Sequence, residues 1–181
     1  MTAKITKRKC VLLDADVVIE AHRISIWQRF VDRLQLIIPS TVIHDEALFF
    51  SPMGGGPPVD ISLKAALQGG QVIELSATYE ELVSLYNIFD RVFIEALHPG
   101  ETEALALMKA NKVEGTFFCT GDGHAIQALA MIGMSTYGIS LEALLISIGL
   151  KRKLKIQFNE TYFKHNLRSG QQNRITRQGL A

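Results

Sequence analysis

Residues 10–22 read CVLLDADVVIEAH, and the first strand and helix of the domain are predicted from them. Apolar residues 10–13 end at two acidic residues, Asp14 and Asp16, and apolar residues 17–19 follow at once. Such a run is typical of a buried parallel strand that ends at the rim of its sheet. An isolated carboxylate removed from water costs on the order of several kcal/mol unless something pairs with it. The stretch therefore predicts a first strand whose acidic end needs a partner.

Strand patterns and helix patterns alternate along the rest of the chain. Further strands are predicted in the segments 36–38, 69–76, 116–120 and 135–140. Helices are predicted over 19–33, through Glu46, over 61–67 and 78–97, from Pro99 onward, and after 120–124. This alternation indicates an α/β fold, with three layers α/β/α around a mainly parallel central sheet.

The chain has 181 residues, of which 48% are hydrophobic and 20% charged, as expected for one folded domain. We place that domain at 1–150, with a loop insertion at about 51–60 that holds three glycines and three prolines. Residues 151–181 form a basic C-terminal extension. The two cysteines, Cys10 and Cys119, each lie in an apolar run and are interpreted as small hydrophobic residues.

Nothing in the sequence resembles a membrane or export signal. No apolar run approaches the roughly 20 residues that cross a bilayer. The first ten residues, MTAKITKRKC, lack the apolar centre of a signal peptide. We therefore expect a soluble, cytoplasmic protein without a membrane partner.

The charge is divided unevenly along the chain. Residues 1–150 hold 11 Lys plus Arg against 17 Asp plus Glu, whereas 151–181 hold 8 against 1. Basic residues with interleaved aromatic residues suit contacts with phosphates and stacking on bases. The residues concerned are Lys151, Arg152, Lys153 and Lys155, with Phe158, Tyr162 and Phe163. The alternative is a solubilising or dimer-facing extension, and we expect the last dozen residues to be disordered.

Acidic residues recur where the predicted elements end or begin. Asp14 and Asp122 follow two strands, and the carboxyl ends of parallel strands lie on one edge of a sheet. Glu46 and Glu101 lie on helices that begin at the same edge. Carboxylates that converge without basic partners raise each other's pKa values, and a cation relieves this.

The type of ligand indicates the type of cation. With no histidine or thiolate cluster expected nearby, oxygen ligands favour Mg²⁺ or Mn²⁺ over Zn²⁺. One or two such ions can generate hydroxide from water and stabilise the oxygens of a phosphodiester undergoing hydrolysis. The residues thus predict a metal-dependent phosphodiesterase.

Four segments resemble, in order and spacing, the PIN domains, a family of metal-dependent nucleases. They are VLLDADVVIEAH, IPSTVIHDEAL, PGETEALALM and CTGDGHAIQALAMIGMSTYGISLEALL. The resemblance spans about 11–150 and implies that Asp14, Glu46, Glu101 and Asp122 are catalytic metal ligands. It also matches Thr120 to the threonine of a Thr-x-Asp element.

The resemblance carries further expectations. It implies cleavage of RNA, most simply single-stranded RNA, with Mg²⁺ or Mn²⁺ as cofactor. Toxin-type members often act with an antitoxin protein and form homodimers, so both partners are expected here. Two positions depart from the family pattern: Asp16 stands where Asn or Ser is common, and Gly121 replaces the second acid of a Thr-Asp-Asp element.

Several of these residues also have a purely structural interpretation. Asp14 could cap the next helix, Asp122 could belong to a turn, and Glu46 could lie on a solvated face. Asp16 and Glu103 are less certain ligands, because Glu103, like Glu101, suits the first turn of a helix in any case. His124 either donates to a phosphate as a supporting residue or lies at the surface of a helix start.

Two other functions remain open on the sequence. The Asp14-x-Asp16 motif and the segment TGDGH resemble haloacid-dehalogenase-like phosphatases, in which Asp14 would be the nucleophile and Asp16 the acid and base. Against this, Ile126 stands where a second acid is usual, and Glu46 and Glu101 have no role. The second alternative is a PIN-like module that binds RNA or protein without cleaving.

Overall fold

The computed structural model describes residues 9–181. Residues 1–8 lie outside this range. They include most of the segment from which the absence of a signal peptide is expected. Within it the chain forms seven strands: β1 (Lys9–Leu13), β2 (Leu34–Pro39), β3 (Phe49–Phe50), β4 (Val59–Asp60), β5 (Val72–Leu75), β6 (Phe117–Cys119) and β7 (Gly138–Ile139). The α-helices of the same range are α1 (Ala15–Arg23), α2 (Trp27–Arg33), α3 (Lys64–Gln68), α4 (Tyr79–Tyr86), α5 (Arg91–Glu95), α6 (Pro99–Lys109), α7 (Gly123–Met131), α8 (Leu141–Ser147) and α9 (Glu160–Thr176). None of the helices described here is long and apolar enough to cross a lipid bilayer.

The central sheet has five strands in the order β5-β2-β1-β6-β7, and each neighbouring pair is parallel. The predicted fold class is therefore confirmed: helices flank a parallel sheet in an α/β arrangement. The chain first adds β2 and β5 on one side of β1, then returns to add β6 and β7 on the other. The crevice between the ends of β1 and β6 is a topological switch point, where ligands bind in sheets of this type.

Both faces of the sheet are buried. Successive side chains of a strand point to opposite faces, so Val11 and Leu13 join one hydrophobic cluster, whereas Leu12 joins another with Phe118. Helices α1, α2 and α8 contribute to the first cluster, and α4, α6 and α7 to the second. The nearly continuous apolar character of β1 and β2 follows from this double burial.

The helix predicted over 19–33 is two helices, so its predicted bounds are wrong. α1 begins directly after Asp14, whose carboxylate accepts a hydrogen bond from the first helical amide. It ends at a left-handed turn in which Ser25 has φ of 58°. The Ile26 amide then donates to the Ala21 carbonyl at 2.9 Å, and the Ile26 side chain is fully buried. The break between α1 and α2 therefore places Ile26 in the core, whereas a continuous helix would place this side chain elsewhere.

The helix predicted over 78–97 is also interrupted, between α4 and α5. Asp90 caps α5 with its side chain, and its own amide donates to the Gly179 carbonyl at 3.0 Å. The Ala181 amide donates to the Ile88 carbonyl at 2.9 Å. Residues at the far end of the chain therefore occupy the gap between the two helices.

The prediction that the last dozen residues are disordered is wrong. Asn159 caps α9, which packs along α7, and Phe163 is buried in that interface. Gly170 lies so close to the Gln127 backbone that a side-chain carbon there would overlap it. The sequence of α9 is mostly polar, so its docking depends on a few apolar contacts and on small residues that let two helices approach.

Phe163→Ala tests whether α9 belongs to the folded domain. Truncating this buried ring should lower the free energy of unfolding by about 3–5 kcal/mol, measured by urea denaturation followed by circular dichroism. Ile175→Ala is the matched control on the same helix, because Ile175 is 78% exposed; it should change stability by no more than about 0.5 kcal/mol. Equal, small effects of the two substitutions would contradict the docked position of α9.

Candidate metal centre

Asp14 lies at the end of β1, beside the end of β6. Its amide donates to the Cys119 carbonyl at 3.2 Å, which extends the ladder between the two strands. Its Oδ1 accepts from the Ala15 amide at 2.6 Å, and its Oδ2 accepts from the Thr120 hydroxyl at 2.8 Å. The residue is 2% exposed. Two hydrogen bonds and the surrounding backbone therefore fix this carboxylate in one orientation.

Asp122 is held at the start of α7 on the neighbouring strand end. Its Oδ1 accepts from the amides of His124 and Ala125 at 2.7 and 3.0 Å. Its own amide donates to the Thr120 hydroxyl oxygen at 3.0 Å. Thr120 thus bridges the turn that carries Asp122 to the Asp14 carboxylate.

Helix α6 brings Glu101 and His98 to the same crevice. The Oε2 of Glu101 accepts from the His98 amide at 2.9 Å, and its Oε1 lies 3.4 Å from His98 Nδ1. One ligand atom from each of His98, Glu101 and Asp122 lies within 4.8 Å of the other two. The expectation that no histidine lies near the carboxylates is therefore wrong. Pro99 is the sequence signal, because proline at the first helical position places His98 at the cap, three residues before Glu101.

Glu46 reaches the crevice from the π-helical turn Val42–Glu46, which follows β2 in place of a regular helix. Its Oε1 accepts from the Gly100 amide at 2.9 Å. A side-chain carbon at Gly100 would overlap the Glu46 carboxylate and lie 2.6 Å from Val42 Cγ2. Only glycine at this position lets the start of α6 approach Glu46 so closely.

These residues surround one cleft of about 310 Å³. Its walls include Asp14, Asp16, Glu46, His98 and Glu101. The cleft opens at the switch point of the sheet, and Asp122 lies beside it, with a carboxylate oxygen within 4.8 Å of one of Glu101. The structure thus brings together the four acidic residues named from the sequence, with Asp16 exposed at the mouth.

Crowding and burial raise the pKa values of these carboxylates. Desolvation, followed by repulsion from Glu101 and Asp16, raises the pKa of Asp14 well above its ordinary range. Desolvation and the nearby Asp122 raise the pKa of Glu101 to about 8. The same two causes raise the pKa of Asp16, although its side chain meets solvent at the cleft mouth. Without a cation the cleft therefore retains protons at neutral pH.

Glu103 has a different position from Glu101. Its Oε2 accepts from the Thr41 amide at 2.9 Å, and its Oε1 accepts from the Ala77 amide at 3.1 Å. Both oxygens therefore bind backbone segments that follow β2 and β5, and the structure does not bring this carboxylate into the cleft. Glu103 is two residues from Glu101, so it points to a different face of α6, where the two backbone amides satisfy its carboxylate without a cation.

The structure places His124 at the surface rather than in the cleft. It is exposed, and its ring meets Phe93 edge-on with centroids 5.9 Å apart. Cys119 is fully buried behind Asp14, and burial followed by the Asp14 charge raises the pKa of its thiol. A thiolate ligand is therefore disfavoured, in line with its interpretation as a small hydrophobic residue.

The basic extension approaches the cleft through one residue. Lys151, Arg152 and Lys153 are exposed, and the first two line a separate groove beside α8. Lys155 lies closer, with its Nζ 3.9 Å from Glu20 Oε2. Of the four predicted nucleic-acid contacts, Lys155 is the one nearest to the acidic residues.

Glu20 was not predicted to be a buried acidic residue near the cleft, because its burial depends on the ion pair with Arg23, one turn further along α1. It is 2% exposed, and Arg23 binds both of its carboxylate oxygens at 2.5 and 2.6 Å. The stacking role expected for two aromatic residues is wrong, because Phe158 and Phe163 are buried in the core. Of the three, only Tyr162 keeps partial exposure.

Comparison of this chain with protein-family models, curated proteins and solved structures finds no match. The function proposed below therefore rests on the geometry of the cleft alone.

Stability of the cation-free protein should depend on pH through Glu101. Its pKa rises from an ordinary value of 4.5 to about 8 on folding, so between these values the folded chain binds a proton that the unfolded chain has lost. The free energy of unfolding therefore falls as pH rises through this window and levels off above it. Urea denaturation in EDTA, from about pH 5 to about pH 9, measures this slope.

Glu101→Gln should reduce that slope by up to one proton, because glutamine cannot ionise, while the raised pKa values of Asp14 and Asp16 maintain the remainder. The matched control is Glu114→Gln, at an exposed position, which should keep the wild-type slope. An unchanged slope in Glu101→Gln would show that the Glu101 carboxyl is not held protonated by the fold.

Proposed function

We propose that this protein is a metal-dependent ribonuclease that hydrolyses phosphodiester bonds in single-stranded RNA with Mg²⁺ or Mn²⁺. One observation carries the proposal: donor atoms of His98, Glu101 and Asp122 lie within 4.8 Å of one another at the switch point of a parallel sheet. Asp14 and Glu46 add two further carboxylates beside this group. Such a concentration of acidic groups is suited to a divalent cation.

The residues of the cleft fit such an ion on chemical grounds. Burial and mutual repulsion raise the pKa values of Asp14 and Glu101, and a bound cation would relieve both effects. Carboxylate oxygens suit Mg²⁺ and Mn²⁺ alike, but an imidazole ligand suits a transition-metal ion better than Mg²⁺. With His98 in the set, we favour Mn²⁺.

The side chains of the cleft would act in distinct ways. A bound cation would supply hydroxide from water and neutralise charge on the scissile phosphate. Thr120 fixes the Asp14 carboxylate, and the Gly100 amide fixes that of Glu46, so each keeps its orientation without reorganisation. Asp16 lies at the exposed mouth, where its carboxyl group would be placed to transfer a proton to the leaving oxygen.

Nucleic acid as substrate is supported by charge. An acidic cleft repels a phosphate backbone unless cations and basic side chains compensate. Lys155 reaches the edge of the acidic group near Glu20, and the exposed Lys151 to Lys153 continue away from it. A strand of RNA that enters the cleft past Glu20 would meet Lys155, whereas Lys151 and Arg152 line the separate groove beside α8. A protein antitoxin, a homodimer and a cytoplasmic location stay predictions.

The phosphatase alternative receives less support. Asp14 is 2% exposed and both of its oxygens accept hydrogen bonds, whereas a nucleophile must reach phosphorus in line. Glu46 and Glu101 would have no role in that reaction, yet both line the cleft. A binding module without catalysis would leave this acidic group equally unexplained.

Purified protein should cleave single-stranded RNA when Mn²⁺ or Mg²⁺ is present, and EDTA should stop cleavage. Asp14→Asn and Asp122→Asn should each reduce the rate by more than about 100-fold, because each removes a charge placed for the transition state. Asp45→Asn is the matched control, since Asp45 is exposed beside Glu46 and should retain the wild-type rate. A panel of labelled RNAs resolved on denaturing gels measures all four proteins.

Two results would contradict the ribonuclease. Cleavage that persists in EDTA or survives both substitutions would exclude the acidic cleft as its source. Hydrolysis of an aryl phosphate with a trapped phosphoryl group on Asp14 would favour the phosphatase instead.

His98→Ala should weaken Mn²⁺ binding more than Mg²⁺ binding, because an imidazole ligand favours the transition-metal ion. Isothermal titration of both ions into each protein gives the ratio of dissociation constants. His44→Ala is the control, since His44 is exposed and pairs with Glu74; it should leave the ratio unchanged. Unchanged binding of both ions by His98→Ala would rule out His98 as a ligand, and equal weakening of both would show that it does not set the preference for Mn²⁺.

A further inference from the structure

The turn that carries Asp122 is enclosed by the C-terminal segment. Gly121 precedes Asp122, and a side-chain carbon on it would overlap the ring of Phe158. Phe158 is 2% exposed and belongs to the same hydrophobic cluster as Cys119, at the end of β6. The ring therefore occupies the space that any larger residue at 121 would fill.

Gly123, on the other side of Asp122, is enclosed in the same way. A side-chain carbon there would lie 2.8 Å from the Tyr162 hydroxyl and 2.9 Å from Asn166 Oδ1. Asn166 is held by two hydrogen bonds: it accepts from Gln127 Nε2 at 3.0 Å and donates to the Tyr162 carbonyl at 3.1 Å. Both neighbours of Asp122 thus lack a side chain where the C-terminal segment packs.

The segment that encloses the turn is itself anchored. Asn159 Oδ1 accepts from the Tyr162 amide at 2.7 Å and caps α9. The Glu160 amide donates to Glu142 at 2.7 Å, which ties the start of α9 to α8. Because the cap orders the first turn of α9 and the Glu142 contact ties that turn to α8, Phe158 and Tyr162 present a fixed surface to the Asp122 turn.

Asp122 needs such support because its neighbours repel it. A carboxylate oxygen of Asp122 lies within 4.8 Å of one of Glu101, and two carboxylates that close repel each other when both are ionised. Thr120 and two amides of α7 hold Asp122 locally, but the turn as a whole could still move away from Glu101. Packing on both of its glycines opposes that movement.

We propose that Phe158 and Tyr162 are positioning residues of the metal centre, which hold the Asp122 turn against Glu101 and His98 through Gly121 and Gly123. The basic extension is then part of the centre, and not only a surface for nucleic acid. This proposal rests on the proposed function, since it assumes that the cleft binds a divalent cation. It also accounts for glycine at position 121, where the PIN pattern has an acid.

The test compares Mn²⁺ binding by the full-length wild-type protein, Gly121→Ala and Gly138→Ala. Gly138 is the matched control. A side-chain carbon there would lie 2.6 Å from the ring of Phe163, which belongs to the same C-terminal segment as Phe158, but Gly138 is remote in sequence from Asp122. Binding is measured by isothermal titration and by the paramagnetic resonance signal of free Mn²⁺. Thermal unfolding of each variant reports the general cost of the inserted methyl group.

Gly121→Ala should raise the Mn²⁺ dissociation constant by roughly 10-fold to 100-fold, as loss of an outer support of a metal ligand does. Gly138→Ala should lower the melting temperature but leave Mn²⁺ binding unchanged. Adding Phe158→Leu to Gly121→Ala makes room for the methyl group and should recover part of the affinity. If Gly121→Ala does not fold, Phe158→Leu is compared with Phe163→Leu, and only the first should weaken binding.

The possible outcomes distinguish the positioning role from the proposed function on which it rests. Wild-type protein that binds no Mn²⁺ would remove the proposed function and the positioning role together. Wild-type binding with equal affinities in Gly121→Ala and Gly138→Ala would overturn the positioning role alone. The same holds if Phe158→Leu and Phe163→Leu weaken binding equally.

Discussion

Repulsion among carboxylates that share one poorly hydrated crevice is the constraint that the rest of this structure accommodates. Asp14 and Glu101 are each 2% exposed, and burial raises the pKa of both. Backbone amides and one hydroxyl hold these groups in place, whereas the nearest lysine contacts Glu20 at the rim. Among residues 9–181 the fold therefore fixes these carboxyl groups without pairing either with a lysine or an arginine, which is the arrangement that a cation site requires.

The structural and functional interpretations of the acidic residues are compatible. Asp14 and Asp122 both cap helices, as a purely structural interpretation requires. A carboxylate has about four lone-pair sites, and the amide and hydroxyl contacts use only part of them. Capping also orients the remaining lone pairs, since the helix fixes the side chain. The cap is thus the means by which each strand end directs its carboxylate.

The sequence predicted the layers of this fold and most of the acidic cleft. Apolar runs bounded by helix patterns sufficed for the parallel sheet, and parallel strands bring Asp14 and Asp122 to one edge. Local patterns could not predict features set by distant contacts. The turn at Ser25 forms because the Ile26 side chain is buried in the core. Glu103 points away from the cleft because its carboxylate accepts hydrogen bonds from the Thr41 and Ala77 amides. His98 lies at the cleft because it caps α6 beside Glu101. The C-terminal helix α9 is ordered because it packs against α7.

The position of the cleft between β1 and β6 has a consequence for the order of folding. Asp14 and Thr120 meet across 106 residues of chain, so the crevice closes only after a large loop has lost its freedom. β1 and β2 are much closer in sequence and can pair earlier. The free-energy cost of bringing the carboxylates together therefore falls on a late step, when water leaves the crevice. A divalent cation that bound only the closed crevice would stabilise the folded chain by mass action.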